Sequence, residues 1–176
     1  THLSGPFCGM QLADLGADVI KIESPQGDAM RGAPPFVNGE SAPFMLWNRN
    51  KRSLKLDLKN AGDLQLFWEL VDGADVVLEN FRPGVMKRLG LGWDDLHARN
   101  ERLVLGSISG FGQTGPYAAR GGFDLMIQAM SGLAGLQRLP AAAGVRLSPL
   151  CVAGCRGPGW CAGVPVHHVH GPHQPG

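Results

Sequence analysis

Two hydrophobic periods alternate along the first three quarters of the chain. In "PFCGMQLADLG", residues 6–16, Phe7, Met10, Leu12 and Leu15 recur at helical spacing, and Gly16 predicts the stop. "ADVIKIE", residues 17–23, predicts a strand, and the Gly/Pro-rich residues 24–44 predict a loop. "SLKLDLK", residues 53–59, alternates with Leu54, Leu56 and Leu58 on one side and Lys55, Asp57 and Lys59 on the other. The next stretch, residues 60–73, reads as a helix that Asn60 can cap, with Asp63 three residues on and Gly73 at its end. "ADVVLENF", residues 74–81, is a mostly apolar strand, as a sheet covered on both faces requires. Short helices over 84–90 and 93–100, a strand over 102–109 and a helix over 124–133 complete the pattern. Strand and helix in turn predict an α/β fold with an open, mostly parallel, doubly wound sheet.

The pattern stops near residue 135. After Asp124 no acidic residue occurs in the remaining 52 positions, and six Gly and five Pro fall between Pro149 and Gly176. Such punctuation leaves no room for a long element. The expected division is a folded α/β part over 1–135 and an irregular tail over 136–176.

Bulk composition adds exclusions. With 176 residues, one domain or a piece of a larger one is expected. A net charge of +1 gives no field to draw nucleic acid or an anionic membrane, and no apolar run is long enough to span a bilayer. The opening "THLSGPFCGM" has neither initiator Met nor basic leader, so it reads as the middle of a longer sequence, and a reducing cytoplasmic setting is expected for Cys8, Cys151, Cys155 and Cys161.

In "SISGFGQTGP", residues 107–116, Gly110, Gly112 and Gly115 spell G-x-G-x-x-G, the spacing of a dinucleotide-binding turn. That turn needs a helix opening on the third Gly and an acid about 20 residues on. Pro116 and Tyr117 follow instead, and no acid lies near position 135. A glycine-rich loop at the end of a strand, where α/β folds place ligands, is the better reading.

Four segments in order, "LADLGADVIKIE" (12–23), "NRNKRSLKLDLK" (48–59), "DVVLENFRPGVMKRLGLG" (75–92) and "SISGFGQTGPYAARGGFDLMIQAMSGL" (107–133), resemble the family III CoA-transferases, relatives of formyl-CoA transferase, carnitine CoA-transferase and α-methylacyl-CoA racemase. The resemblance implies a Rossmann-like domain, of which this chain would be the N-terminal part, and a homodimer of interlocked rings for full members. It implies acyl-CoA and a carboxylic acid acceptor as substrates, with no further cofactor. By position it places Leu56, Asp57, Leu58, Lys59, Asn80, Phe81, Arg82 and Arg88 at the CoA site, and Gly110, Gly112, Gly115, Phe123 and Asp124 in an active-site loop. Forked guanidinium donors suit phosphate or an adenine face, and a solvated surface charge is the plain alternative for Lys59 and Arg88. A helix cap is the plain alternative for Asp124. The cations of "NRNKR" (48–52) fit a solvated turn, a phosphate patch or a wall of the active-site entrance.

In the family an Asp is the nucleophile. Its carboxylate attacks the donor thioester to form a mixed anhydride, and CoA thiolate returns to give an aspartyl thioester. Gly154, in "LCVAG", stands where the resemblance places that Asp, so no catalytic residue is assigned and the chain is expected to be an inactive fragment. The expected cause is a tail of non-family sequence from a frameshift or misjoined gene. Phe123 replaces the acid/base His of the racemase branch, which favours transfer; a racemase-like enzyme and a non-catalytic acyl-CoA binder are the alternatives. Cys151, Cys155 and Cys161 with His167, His168, His170 and His173 lack the paired C-x2-C spacing of structural zinc, and no metal site is assigned.

Overall fold

The computed structural model describes residues 3–122, helical positions 126, 127 and 130, and the backbone of 166–170. Helix α1 spans Ser4–Asp14 and ends on Gly16, whose φ of 97° lies in the left-handed region. Met10 is buried, whereas Leu15, expected on the apolar face, lies past the helix end and is 84% exposed. Strand β1 is Val19–Glu23.

The expected loop over 24–44 holds more order than its Gly/Pro content suggested. It contains a 3-10 turn at Ala29–Gly32, a hairpin of β2 (Phe36–Val37) and β3 (Glu40–Ser41), and the start of α2 (Ala42–Asn48). Ser41 caps α2: its hydroxyl accepts from Phe44 N and donates to Ala33 O. Buried Glu23 anchors the loop through hydrogen bonds from Arg31 Nε and Nη2, Asp28 N and Ser53 Oγ.

Strand β4, Lys51–Lys55, pairs in parallel with β1, Val19 opposite Lys51 and Glu23 opposite Lys55. It ends four residues before the alternation does, because residues 57–60 turn. Asp57 O accepts from Asn60 N, Asp57 Oδ1 from Lys59 N, and Asp63 Oδ2 from Asp57 N at 2.7 Å. Asp63 therefore braces the turn, while Asn60 caps α3 (Ala61–Asp72) through Gly62 N and Asp63 N. Strand β5 (Val76–Glu79), α4 (Val85–Arg88), α5 (Trp93–Arg99) and β6 (Val104–Ile108) follow.

Strands β5 and β6 are parallel and joined by a helical crossover, as are β1 and β4. The arrangement is the expected α/β, Rossmann-like one, divided among the described residues into two parallel pairs and the β2–β3 hairpin. One core cluster joins Leu56, Phe67, Val71, Leu91, Leu96, Leu103 and Leu105. Asn100 locks α5 to the end of α3, its Nδ2 donating to Val71 O and Ala74 O.

Within the tail expected to be irregular, residues 166–170 form β7, antiparallel to β6 with a register shift at Ser107/Ile108. Strand pairing needs only backbone groups, so composition gave no warning of it. The expected helix over 124–133 lies mostly outside the described residues, with Met126, Ile127 and Met130 helical.

Candidate functional site

Loops leaving the carboxyl ends of β4, β5 and β6 carry the residues singled out from the sequence, and in parallel α/β structure ligands meet the protein at such ends. At β5, Glu79 is buried and its carboxylate accepts from Phe81 N at 2.7 Å. Asn80 Nδ2 donates to Ile108 O at 2.7 Å and ties the end of β5 to that of β6. The chain then turns through Pro83 and Gly84; the φ of 82° at Gly84 suits glycine alone. Helix α4 follows, seating Met86 and Leu89 on the core and leaving Arg82, Lys87 and Arg88 exposed. Phe81 is exposed as well. None of these three cations, nor Lys59, belongs to an ion pair among the described residues.

At β4, Leu56 is 4% exposed and sits inside the core, so only its backbone can face a ligand. Leu58 packs against the same cluster as Met86 and Trp93, which brings the β4 and β5 loops to one core. The carboxylate of Asp57 is engaged by Lys59 N, while the Lys59 side chain is exposed.

At β6 the glycine loop closes on itself. A Cβ built on Gly110 or on Gly122 would lie 2.4 Å from the other's Cα, so the two backbones meet and neither position admits a side chain. Gly112 and Gly115 have φ of 82° and 91°. The Phe111 and Tyr117 rings pack at 5.8 Å, and the Arg120 guanidinium lies over Tyr117 at 4.3 Å. Residues 116–119 form turns, so no helix opens on Gly115, and the dinucleotide reading fails on the structure as on the sequence. The loop returns to Arg82, whose guanidinium is 3.6 Å from a Cβ built on Gly121.

Between these loops lies a cavity of about 160 Å³, lined among others by Glu79, Arg82, Met86, Trp93, Ser107 and Gln113. Sequence reasoning found Arg82 and missed the other five. An acid closing an apolar strand and a Gln between glycines were the available signals. A wider groove of about 770 Å³ opens between α3 and α5, beside Trp68 and Arg99, and contains none of the assigned residues.

The cations of "NRNKR" divide. Arg49 pairs with Asp14 and Arg52 with Asp18, while the Lys51 ammonium donates to Pro6 O at 2.6 Å, Trp47 O at 2.8 Å and Asn48 Oδ1 at 3.1 Å. Burial, then the neighbouring Lys21, draws Lys51 down to about 8. Its three acceptors make it a clamp between α1 and α2. Burial pushes the nearby Cys8 thiol up, against a smaller pull from Lys51.

Phe123, Asp124, Gly154, Cys151, Cys155, Cys161 and His173 lie outside the described residues; His167, His168 and His170 are placed in β7 by backbone alone. Among the described residues no group of His, Cys, Asp or Glu is arranged to hold a metal, and no helix is long and apolar enough to cross a membrane.

Known proteins share this sequence and fold. The family model for CoA-transferase family III matches residues 1–157. The chain is 48% identical over 158 residues to acetyl-CoA:oxalate CoA-transferase of Acetobacter aceti, covering 86% of this chain and 41% of that protein. It is 43% identical over 133 residues to human succinyl-CoA:glutarate CoA-transferase, covering 74% of this chain and 30% of the relative. Among solved structures, a CAIB/BAIF family protein from Brucella suis superposes with a TM-score of 0.77 at 43% identity, over 85% of this chain and 41% of that one. The chain thus spans about two fifths or less of the length of these relatives.

Proposed function

The chain belongs to CoA-transferase family III, and from that premise we propose that it is the CoA-binding N-terminal part of an enzyme that moves CoA between carboxylic acids. The observation that carries the reading is the convergence of Arg82 and of Gln113 from the Gly110–Gly122 loop on one cavity at the ends of β5 and β6, which Asn80 ties together through Ile108 O. Arg82, Lys87 and Arg88 are exposed there without carboxylate partners among the described residues, a supply of forked and point-charge donors for a polyphosphate. Lys59 and the backbone of 56–58 extend that surface from the β4 end. In this reading Phe123 and Asp124, next in the sequence after Gly122, belong to the active-site loop.

The second half of the proposal is that the chain binds CoA without transferring it. Gly154 offers no carboxylate for attack on a thioester, so the anhydride cannot form. The family match, which runs through residue 157 and so past the expected boundary at 136, supports a departure from the family sequence only beyond 157, while the compositional break begins earlier. Full-length relatives are read as cytoplasmic homodimers, and this chain as a fragment of one protomer.

Titration calorimetry with CoA on the purified chain tests the first half. Binding is expected, and the Arg82→Ala/Arg88→Ala pair is expected to weaken it about tenfold or more, since each charge-assisted bond to phosphate contributes roughly 1.5–3 kcal/mol. Absence of CoA binding by the unmutated chain refutes the reading. CoA transfer from acetyl-CoA or succinyl-CoA to oxalate or glutarate by this chain refutes the second half alone.

A further inference from the structure

Two side-chain atoms just beyond β6 are buried without a hydrogen-bond partner among the described residues: Ser109 Oγ and Gln113 Nε2. An unsatisfied buried donor costs about 1–3 kcal/mol, so such atoms ask for a missing acceptor. Gln113 lines the 160 Å³ cavity together with Glu79 and Ser107. One Glu79 oxygen accepts from Phe81 N, and the other has no hydrogen bond among the described residues. The cavity therefore presents one amide donor and one carboxylate acceptor among the apolar walls of Pro83, Met86, Trp93 and Leu105, with Arg82 and Lys87 also in its lining.

We propose that Gln113 and Glu79 together read a secondary amide of a pantetheine arm, Gln113 Nε2 donating to its carbonyl and Glu79 accepting from its N–H. This rests on the CoA reading above and assigns the cavity to one part of the ligand. A neutral amide between methylenes matches both the Gln113 and Glu79 polar groups and the apolar walls, while Arg82 and Lys87 in the same lining remain for the phosphates. Gln113 needs no ligand to reach its position. The loop that carries it is a compact Ω-like closure, pinched at Gly110 and Gly122 and filled by the Phe111, Tyr117 and Arg120 stack. A donor held in place before binding loses little on ordering, which is how preorganisation raises affinity.

The test compares three probes on the chain: CoA, pantetheine, and adenosine 3′,5′-bisphosphate, which lacks the arm. Gln113→Leu is expected to weaken CoA and pantetheine about five- to tenfold and to leave the bisphosphate unchanged. Gln113→Glu, of equal length, sets a second carboxylate by Glu79 and is expected to weaken CoA more than the Leu variant does, again sparing the bisphosphate. Should Gln113→Leu fold poorly, the Glu variant carries the comparison. Unchanged CoA affinity in either folded variant overturns the proposal, as does an equal loss for the bisphosphate. These results leave the CoA reading standing, which fails only if the unmutated chain does not bind CoA.

Discussion

Glu23 is the place where a single proton should loosen the fold. It is 4% exposed at the carboxyl end of β1 and receives four hydrogen bonds of 2.8–2.9 Å, two from Arg31 and one each from Ser53 Oγ and Asp28 N. The hydrogen bonds from Arg31 come first among the causes, opposed by burial, and hold the carboxyl at about 2 against an ordinary 4.5. At 1.36 kcal/mol per pKa unit, that difference is about 3 kcal/mol of stability at neutral pH. Arg31 is itself 45% exposed, so screening trims its share and about 2–3 kcal/mol is the working figure. Because the folded value is depressed, the unfolded chain takes up the proton first as pH falls. The contribution is complete above about 4.5 and is lost on the way to about 2, with roughly 2 kcal/mol gone by pH 3. Glu23→Gln removes the charge and leaves one oxygen for four donors. Urea unfolding followed by tryptophan fluorescence should show the variant less stable by about 2–3 kcal/mol at pH 6, with the gap shrinking by about 2 kcal/mol at pH 3. A gap of the same size at both pH values would refute the argument, since it would show that the ionised carboxylate contributes nothing beyond its shape.

Two further substitutions probe the scaffold of the site. Gly110→Ala should cost about 2–4 kcal/mol in the same urea assay, because its Cβ meets the Gly122 backbone at 2.4 Å; Gly32→Ala, with open space around it, is the control and should change stability by less than about 1 kcal/mol. Asn60→Ala removes the oxygen that accepts from Gly62 N and Asp63 N at the start of α3 and should cost about 1 kcal/mol in thermal unfolding.

The elements legible in the sequence were those whose signal is local. Gly16 and Gly73 end their helices as read, and Asn60 caps α3, because caps and stops act over three or four residues. The parallel pairing followed from the alternation of element types. Helix α2 was hidden because Pro43 suggested a loop, although proline is well tolerated in the first turn of a helix, and Ser41 supplied the cap. Leu56 was read as a ligand contact by position, yet its side chain belongs to the core; position along a motif does not distinguish a backbone contact from a side-chain one. The cations of "NRNKR" were open between a solvated turn, a phosphate patch and a wall of the active-site entrance, and their structural pairing was hidden because their partners Asp14, Asp18 and Pro6 lie more than 30 residues away.

The candidate cavity follows the same division between local and distant signals. Its cationic rim was visible, since arginines beside a Pro-Gly turn announce themselves in "NFRPG". Its interior was not: Glu79, Trp93, Ser107 and Gln113 come from four separate segments, and each alone is an ordinary strand end, helix start or loop residue. The glycines connect the two views. Read as spacing, Gly110, Gly112 and Gly115 suggested a turn under a phosphate. In the fold, Gly110 instead meets Gly122, a residue outside the G-x-G-x-x-G pattern, and that contact closes a loop whose Gln113 lines the same cavity as the buried Glu79. A ligand that satisfied only the rim would leave Gln113 Nε2 unpaired, whereas one that carries both phosphate and amide satisfies rim and interior together. Coenzyme A has that combination, so the reading of the arginines and that of the interior require the same ligand.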